Sequence, residues 1–259
     1  YTLSLHDALP ILCYIRAKRR GKTLRLKVND FKSFSNKLNN TGVPILVLRW
    51  WNVIPCTDDE KKKYVDDIDC LIDENNIWPI IKLAAKNPGT SKVDLYGICG
   101  RNGTSYRGMP YYPPILAKKI YESRMWSDGY YIPSLGMYKY SFIYHVVYHK
   151  GPESGISFNQ IQTEYGSNKF YKELTKLQES DAELKSYDIT LVGMHNYLKS
   201  FQWSMPLDLM SRWNGNQDTI TKLKKLEELA LSHLVEKLEG LAIFIIRDDA
   251  YIEDSIRTI

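Results

Sequence analysis

The segment Val65-Asp66-Asp67-Ile68-Asp69-Cys70-Leu71-Ile72 decides how the chain is read. Side chains two apart on a strand share a face. As a strand, the segment sets Asp67 and Asp69 side by side and sends Ile68, Cys70 and Ile72 to the other face. Two like charges at that spacing repel, and strand interiors disfavour Asp. The pair therefore calls for a counterion, and Mg²⁺ takes hard oxygen ligands of this kind. A third carboxylate, Asp94, stands near the start of the next apolar strand, VDLYGIC at 93–99. If the two strands are neighbours, the three acids form one metal cluster, with Asp94 as third ligand or general base. Such a cluster clamps triphosphate oxygens in phosphoryl and nucleotidyl transfer. The plainer alternative is a set of solvated acids at a strand end, since Asp66 and Asp73 make the whole segment acidic.

Outward from this segment, helices and strands alternate. Residues 30–39 read as a helix capped by Asp30, with Phe31, Phe34 and Leu38 on one face. VPILVLRW, residues 43–50, reads as a strand, residues 52–64 as a polar loop, and residues 77–85 as a short helix. This order predicts an α+β (α/β) fold, a mixed sheet flanked by helices. The second half is mostly helical, with helices at 114–124, 138–150, 168–179 and 188–200, the last capped by Asp188. A short helix follows Pro206. Residues 217–239 form an amphipathic helix with a stripe of Leu223, Leu226, Ala230 and Leu234.

Composition excludes several classes. With 44% hydrophobic and 25% charged residues, the 259-residue chain is neither disordered nor, at 15 Gly and 11 Pro, collagen-like. Four Cys make no disulfide framework. No run approaches the roughly twenty apolar residues that span a bilayer, so no membrane partner is expected. The scattered cysteines make the cytoplasm the default location. A net charge of +5 points only weakly to an anionic partner.

Residues 43–151 resemble a bacterial group of the nucleotidyltransferase-like superfamily. The matching pieces are VLRWW at 47–51, DDIDCLID at 66–73, VDLYG at 93–97, YYPPILAKKIYESR at 111–124 and YSFIYHVVYHKGPESGI at 140–156. The resemblance implies a mixed sheet flanked by helices, with Asp67 and Asp69 as metal-binding carboxylates and Asp94 as the candidate third. It implies a Mg²⁺-dependent enzyme that moves a nucleotide from an NTP to an acceptor the sequence does not name. The superfamily usually carries a Gly-Gly or Gly-Ser turn before the acidic strand, where backbone amides hold phosphate. This chain has Leu48-Arg49-Trp50-Trp51 there. Arg49 offers a charge as substitute phosphate ligand. The lost turn keeps a second reading open, a non-catalytic nucleotide- or partner-binding module of the same fold.

His145 and His149 share a helical face at metal-ligand spacing, but the Glu of a zinc-protease motif is missing. His149 and Lys150 are candidates to reach an anionic substrate from the helix end; the alternative is a Tyr-rich core helix with hydrogen-bonded histidines. Arg101 and Arg107 approach Asp94 only if the Gly-rich loop after residue 97 folds back. Residues 188–213 read as helix, turn, short helix. The second helix offers only Arg212, opposed by Asp208, which argues against nucleic acid as a partner.

Both ends invite separate treatment. Residues 1–11, YTLSLHDALPI, resemble the in-frame translation of a sequencing-library adaptor and are set aside as non-native. Residues 12–160 are assigned to the nucleotidyltransferase-like domain and 161–239 to a helical region. Residues 240–259, an apolar run followed by a helix, read as the start of a truncated α/β domain that faintly resembles the opening of a nucleoside-diphosphate-kinase-like fold.

Overall fold

The computed structural model describes residues 5–54, 67–161 and 168–237. The expected loop at 52–64 falls mostly outside these residues, as does the expected strand-helix unit at 240–259. Helix α1 (Leu5–Arg20) leads into β1 (Leu24–Val28), α2 (Phe31–Asn40) and β2 (Leu46–Val47). Then come β3 (Ile68–Ile72), α3 (Ile77–Lys86), β4 (Ser91–Gly97), α4 (Pro114–Glu122), β5 (Met125–Ser127) and β6 (Tyr130–Ile132). Helices α5 (Leu135–Tyr144), α6 (Lys169–Ser180), α7 (Leu191–Ser200), α8 (Leu207–Arg212) and α9 (Gln217–Lys237) complete the described chain. The fold is a mixed α/β one, consistent with the expected α+β class.

The sheet runs in the order β1-β4-β3-β2-β6-β5. Strand β4 pairs antiparallel with β1 and parallel with β3. Strand β2 pairs antiparallel with β3 and parallel with β6. The strand expected over 43–50 is paired as β2 only at Leu46–Val47. Pro44 has no N–H to give a ladder, and Trp50 turns the chain through the left-handed region at φ 56°. Four elements were not anticipated: α1, β1 and the β5–β6 hairpin. That hairpin turns on Asp128-Gly129, both at positive φ, as a two-residue turn between twisted strands requires.

Strand alternation splits the core in two. Leu24, Leu26, Ile68, Cys70, Ile72, Val93 and Leu95 face one cluster, closed by Phe31, Phe34 and Leu38 of α2 and Ile77, Ile80 and Ile81 of α3. Leu71 and Tyr96 face the other, which is built largely from α4, α5 and α7. Asp30 caps α2 as expected, accepting from the backbone N–H groups of Lys32 and Ser33.

The helical half departs from expectation at three places. The helix expected over 138–150 is α5 followed by a π-helical turn, His145–Lys150. Helix α7 is capped by Thr190, whose hydroxyl accepts from Gly193 N at 2.9 Å, and Asp188 stands too early to do so. The stripe expected on α9 is buried only at its start. Leu223 is inaccessible, whereas Leu226 is 43% exposed. Ile220 and Leu223 reach the helical core, and the helix then runs past it.

Candidate functional site

Strand β1 reads Leu-Arg-Leu-Lys-Val, a strict alternation that buries Leu24, Leu26 and Val28 and turns Arg25 to the opposite face. Arg25 is the antiparallel partner of Asp94, and Asp94 is the parallel partner of Asp69. Asp94 and Tyr96 alternate with the core residues Val93 and Leu95, so Arg25, Asp69, Asp94 and Tyr96 share one sheet face. Asp67 enters the same group from the residue before β3.

The carboxylates are held by two arginines. Arg25 grips Asp94 through both arms, Nε to Oδ1 and Nη2 to Oδ2, each at 2.6 Å. The same Nη2 donates to Asp67 Oδ2 at 2.8 Å. Arg49 donates from Nη2 to Asp69 Oδ2 and to the Tyr111 hydroxyl, the latter at 2.7 Å. The Tyr96 hydroxyl donates to Asp69 Oδ1 at 2.8 Å. The Tyr111 hydroxyl also lies 2.7 Å from His145 Nδ1. Burial, then the Arg49 charge, holds His145 well below the ordinary histidine range. The imidazole is therefore neutral, and the Tyr111 hydroxyl, which accepts from Arg49, is hydrogen-bonded to its Nδ1. Hydrogen bonding to Asp94 raises the Arg25 guanidinium above its ordinary value. Burial, then the charges of Asp69 and Asp94, lifts the Asp67 carboxyl.

The two arginines differ in setting. The Arg25 side chain is 50% exposed. Arg49 is 7% exposed, lies over the Tyr111 ring at 5.6 Å, and has no partner for Nη1. Beside Arg25 opens a cleft of about 770 Å³, within the range of small-molecule sites. Its wall carries four cations, Arg20, Lys22, Arg25 and Arg107, against one carboxylate, Asp94. Arg20 ends α1, and Lys22 comes from the turn between α1 and β1. Arg107 comes from the loop after β4, which folds back as its position near Asp94 requires. Arg101 is not among the lining residues.

The carboxylate donors fit a hard divalent cation, and Arg25 Nη2 already draws oxygens of Asp67 and Asp94 onto one nitrogen. No group of three His, Cys, Asp or Glu among the described residues stands as a ready metal cage.

Of the six residues anticipated from sequence, Asp67, Asp69, Asp94 and Arg49 come together. His149 and Lys150 do not join them. His149 is buried, stacked on Trp213 at 5.4 Å and edge-on to Tyr111 at 4.0 Å, behind the cleft wall formed by Tyr106. Neither residue lines the cleft. Sequence reasoning missed Arg25, Arg20, Lys22, Tyr96 and Tyr111. The alternation at 24–28 was the available signal for Arg25.

No protein-family model, curated protein or solved structure matches the chain. None of the helices among the described residues is long and apolar enough to cross a membrane.

Proposed function

We propose that the chain is a Mg²⁺-dependent nucleotidyltransferase-like enzyme that moves a nucleotide from an NTP to an acceptor. The observation that carries this reading is the parallel pairing of Asp69 with Asp94, with Asp67 on the same face, at the edge of a basic cleft. Mg²⁺ held by Asp67, Asp69 and Asp94 would neutralise triphosphate charge and favour the attacking oxygen. The chain's own residues supply the rest. Arg20, Lys22 and Arg107 give the cleft the charge to bind phosphate. Arg49 fixes Asp69 from the buried side of the cluster. Where Asp94 is not a metal ligand, it would instead take the acceptor's proton as the acceptor oxygen joins the α-phosphorus and pyrophosphate leaves. The reaction belongs in the cytoplasm, where nucleoside triphosphates are abundant.

The second reading is a non-catalytic module of the same fold. It is favoured by the two arginines that already satisfy the carboxylates and by Trp50-Trp51 at the expected glycine turn. Nucleic acid is the least supported partner, since Arg212 is tied to Asp208 at 3.1 Å.

Thermal-shift titration with NTP, with and without Mg²⁺, separates the two. Stabilisation that requires Mg²⁺ and disappears when Asp67 and Asp94 are replaced by Asn supports the enzyme. Nucleotide binding unchanged in that double variant would sink it.

A further inference from the structure

We propose that Arg25 is a displaceable counterion, exchanged between the carboxylates and the phosphate-bearing ligand of the cleft. The inference rests on the reading above of a polyphosphate and a divalent cation at this site. Three observations lead to it. First, Arg25 and Arg49 both neutralise the acidic face, but only Arg25 is free to leave. Its backbone is fixed in the β1–β4 ladder, while its half-exposed side chain lies in the cleft wall. Arg49 is locked by Asp69 and Tyr111 below the surface, with its second nitrogen unpartnered beside the cluster.

Second, the charges favour exchange over addition. Three carboxylates face two guanidinium groups, which leaves one net negative charge. When Arg25 turns away the deficit becomes two, the charge of a divalent cation. Third, the oxygens that Arg25 grips on Asp94 and Asp67 are hard carboxylate donors of the kind a divalent cation takes. A cation and Arg25 therefore compete for the same lone pairs.

An anion in the cleft draws Arg25 off Asp94, and the freed carboxylates accept the metal. Coupling of this kind is reciprocal: each ligand tightens the other. With no anion bound, Arg25 closes the metal site, so the metal is held only when there is a substrate to act on.

The test is Arg25→Gln, read with two probes that need no turnover. Mn²⁺ binding to the ligand-free protein, followed by electron paramagnetic resonance, is expected to tighten about tenfold, within the usual span of coupling between sites. Pyrophosphate binding in EDTA, followed by calorimetry, is expected to weaken by a similar factor. Opposite signs from one substitution are what a merely structural arginine would not produce. Arg25→Lys keeps the charge without the fork and is expected to fall between. It also serves if the Gln variant fails to fold.

Mn²⁺ binding that is equal or weaker in Arg25→Gln, yet lost in Asp94→Asn, overturns the exchange and leaves the metal reading intact. Absence of Mn²⁺ binding from wild type and from both Arg25 variants overturns both.

Discussion

Arg25 and Asp94 face each other across an antiparallel ladder and close a two-armed ion pair at 2.6 Å on each arm. The pair lies in the wall of the cleft, where the Arg25 side chain is half exposed. Deeper in, the buried Arg49 pairs with the largely covered Asp69. This depth difference separates a movable counterion from a structural one, and it governs what substitutions should do.

Arg49→Ala should be strongly destabilising. Arg49 is buried and Asp69 nearly so, and removal of one partner leaves an uncompensated charge below the surface. Losses of that kind run to about 3–5 kcal/mol. Urea denaturation should show the midpoint falling, with much of the loss recovered when Asp69 is replaced by Asn in the same chain. A midpoint unchanged in Arg49→Ala would contradict the buried pair.

Tyr111→Phe removes the hydroxyl that joins Arg49 to His145. Two buried polar groups then lose a partner at once. A cost of about 1–3 kcal/mol is expected from the unsatisfied groups. The apolar packing of the ring is retained, so the folded structure should persist, as near-ultraviolet circular dichroism can check.

Stability should fall as pH is lowered below neutrality. Burial, ahead of any other cause, holds His145, His149 and His195 below the ordinary histidine range. For His195 the contact with Glu227 opposes this without cancelling it. In the unfolded chain these histidines take up protons near about pH 6.5, and in the folded protein they do not. The unfolded state then binds more protons, so stability is complete above that pH and declines below it. Asp67, whose carboxyl is lifted, acts in the opposite sense but is one group against three. Thermal unfolding between about pH 7.5 and 5 measures the slope, and a flat or rising melting temperature on acidification would refute it.

Gly151→Ala should disrupt the end of the π-helical turn. Gly151 has φ 50° and ψ −127°, a region open to glycine alone. A Cβ there would also lie 1.9 Å from Asn216 Nδ2, the nitrogen that donates to Val147 O. Strain at such positions costs of order 1–3 kcal/mol before the clash is counted. Limited proteolysis near residues 151–168 should accelerate in the variant and not in Gly136→Ala, whose added methyl meets nothing.

Much of this was legible in the chain. The carboxylates at 67 and 69, their inward neighbours and the strand at 93–97 follow from period-two alternation, which is local. The same rule would have exposed β1, since Leu24, Leu26 and Val28 alternate with Arg25 and Lys27. The Asp128-Gly129 turn likewise announces a hairpin. Helix ends were less legible. Asp188 and Thr190 are both good caps, and only the packing of Leu191 and Met194 chose between them. The histidine spacing at 145 and 149 left a ligand face and a Tyr-rich core helix both open. The tertiary structure decided for the core helix, where Tyr and Trp rings enclose both histidines.

The sequence by itself determined the fold class, the acidic strand and the candidate third carboxylate, because side-chain alternation and helix periodicity are properties of neighbouring residues. Only the tertiary structure decided which acids meet. It put β4 between β1 and β3, so that Asp94 lies beside Asp69 and opposite Arg25. It also gathered Arg20, Lys22 and Arg107 around one cleft. Strand order and loop direction arise from the closure of two cores on opposite sides of the sheet. That closure depends on residues far apart in the chain, which no local pattern encodes.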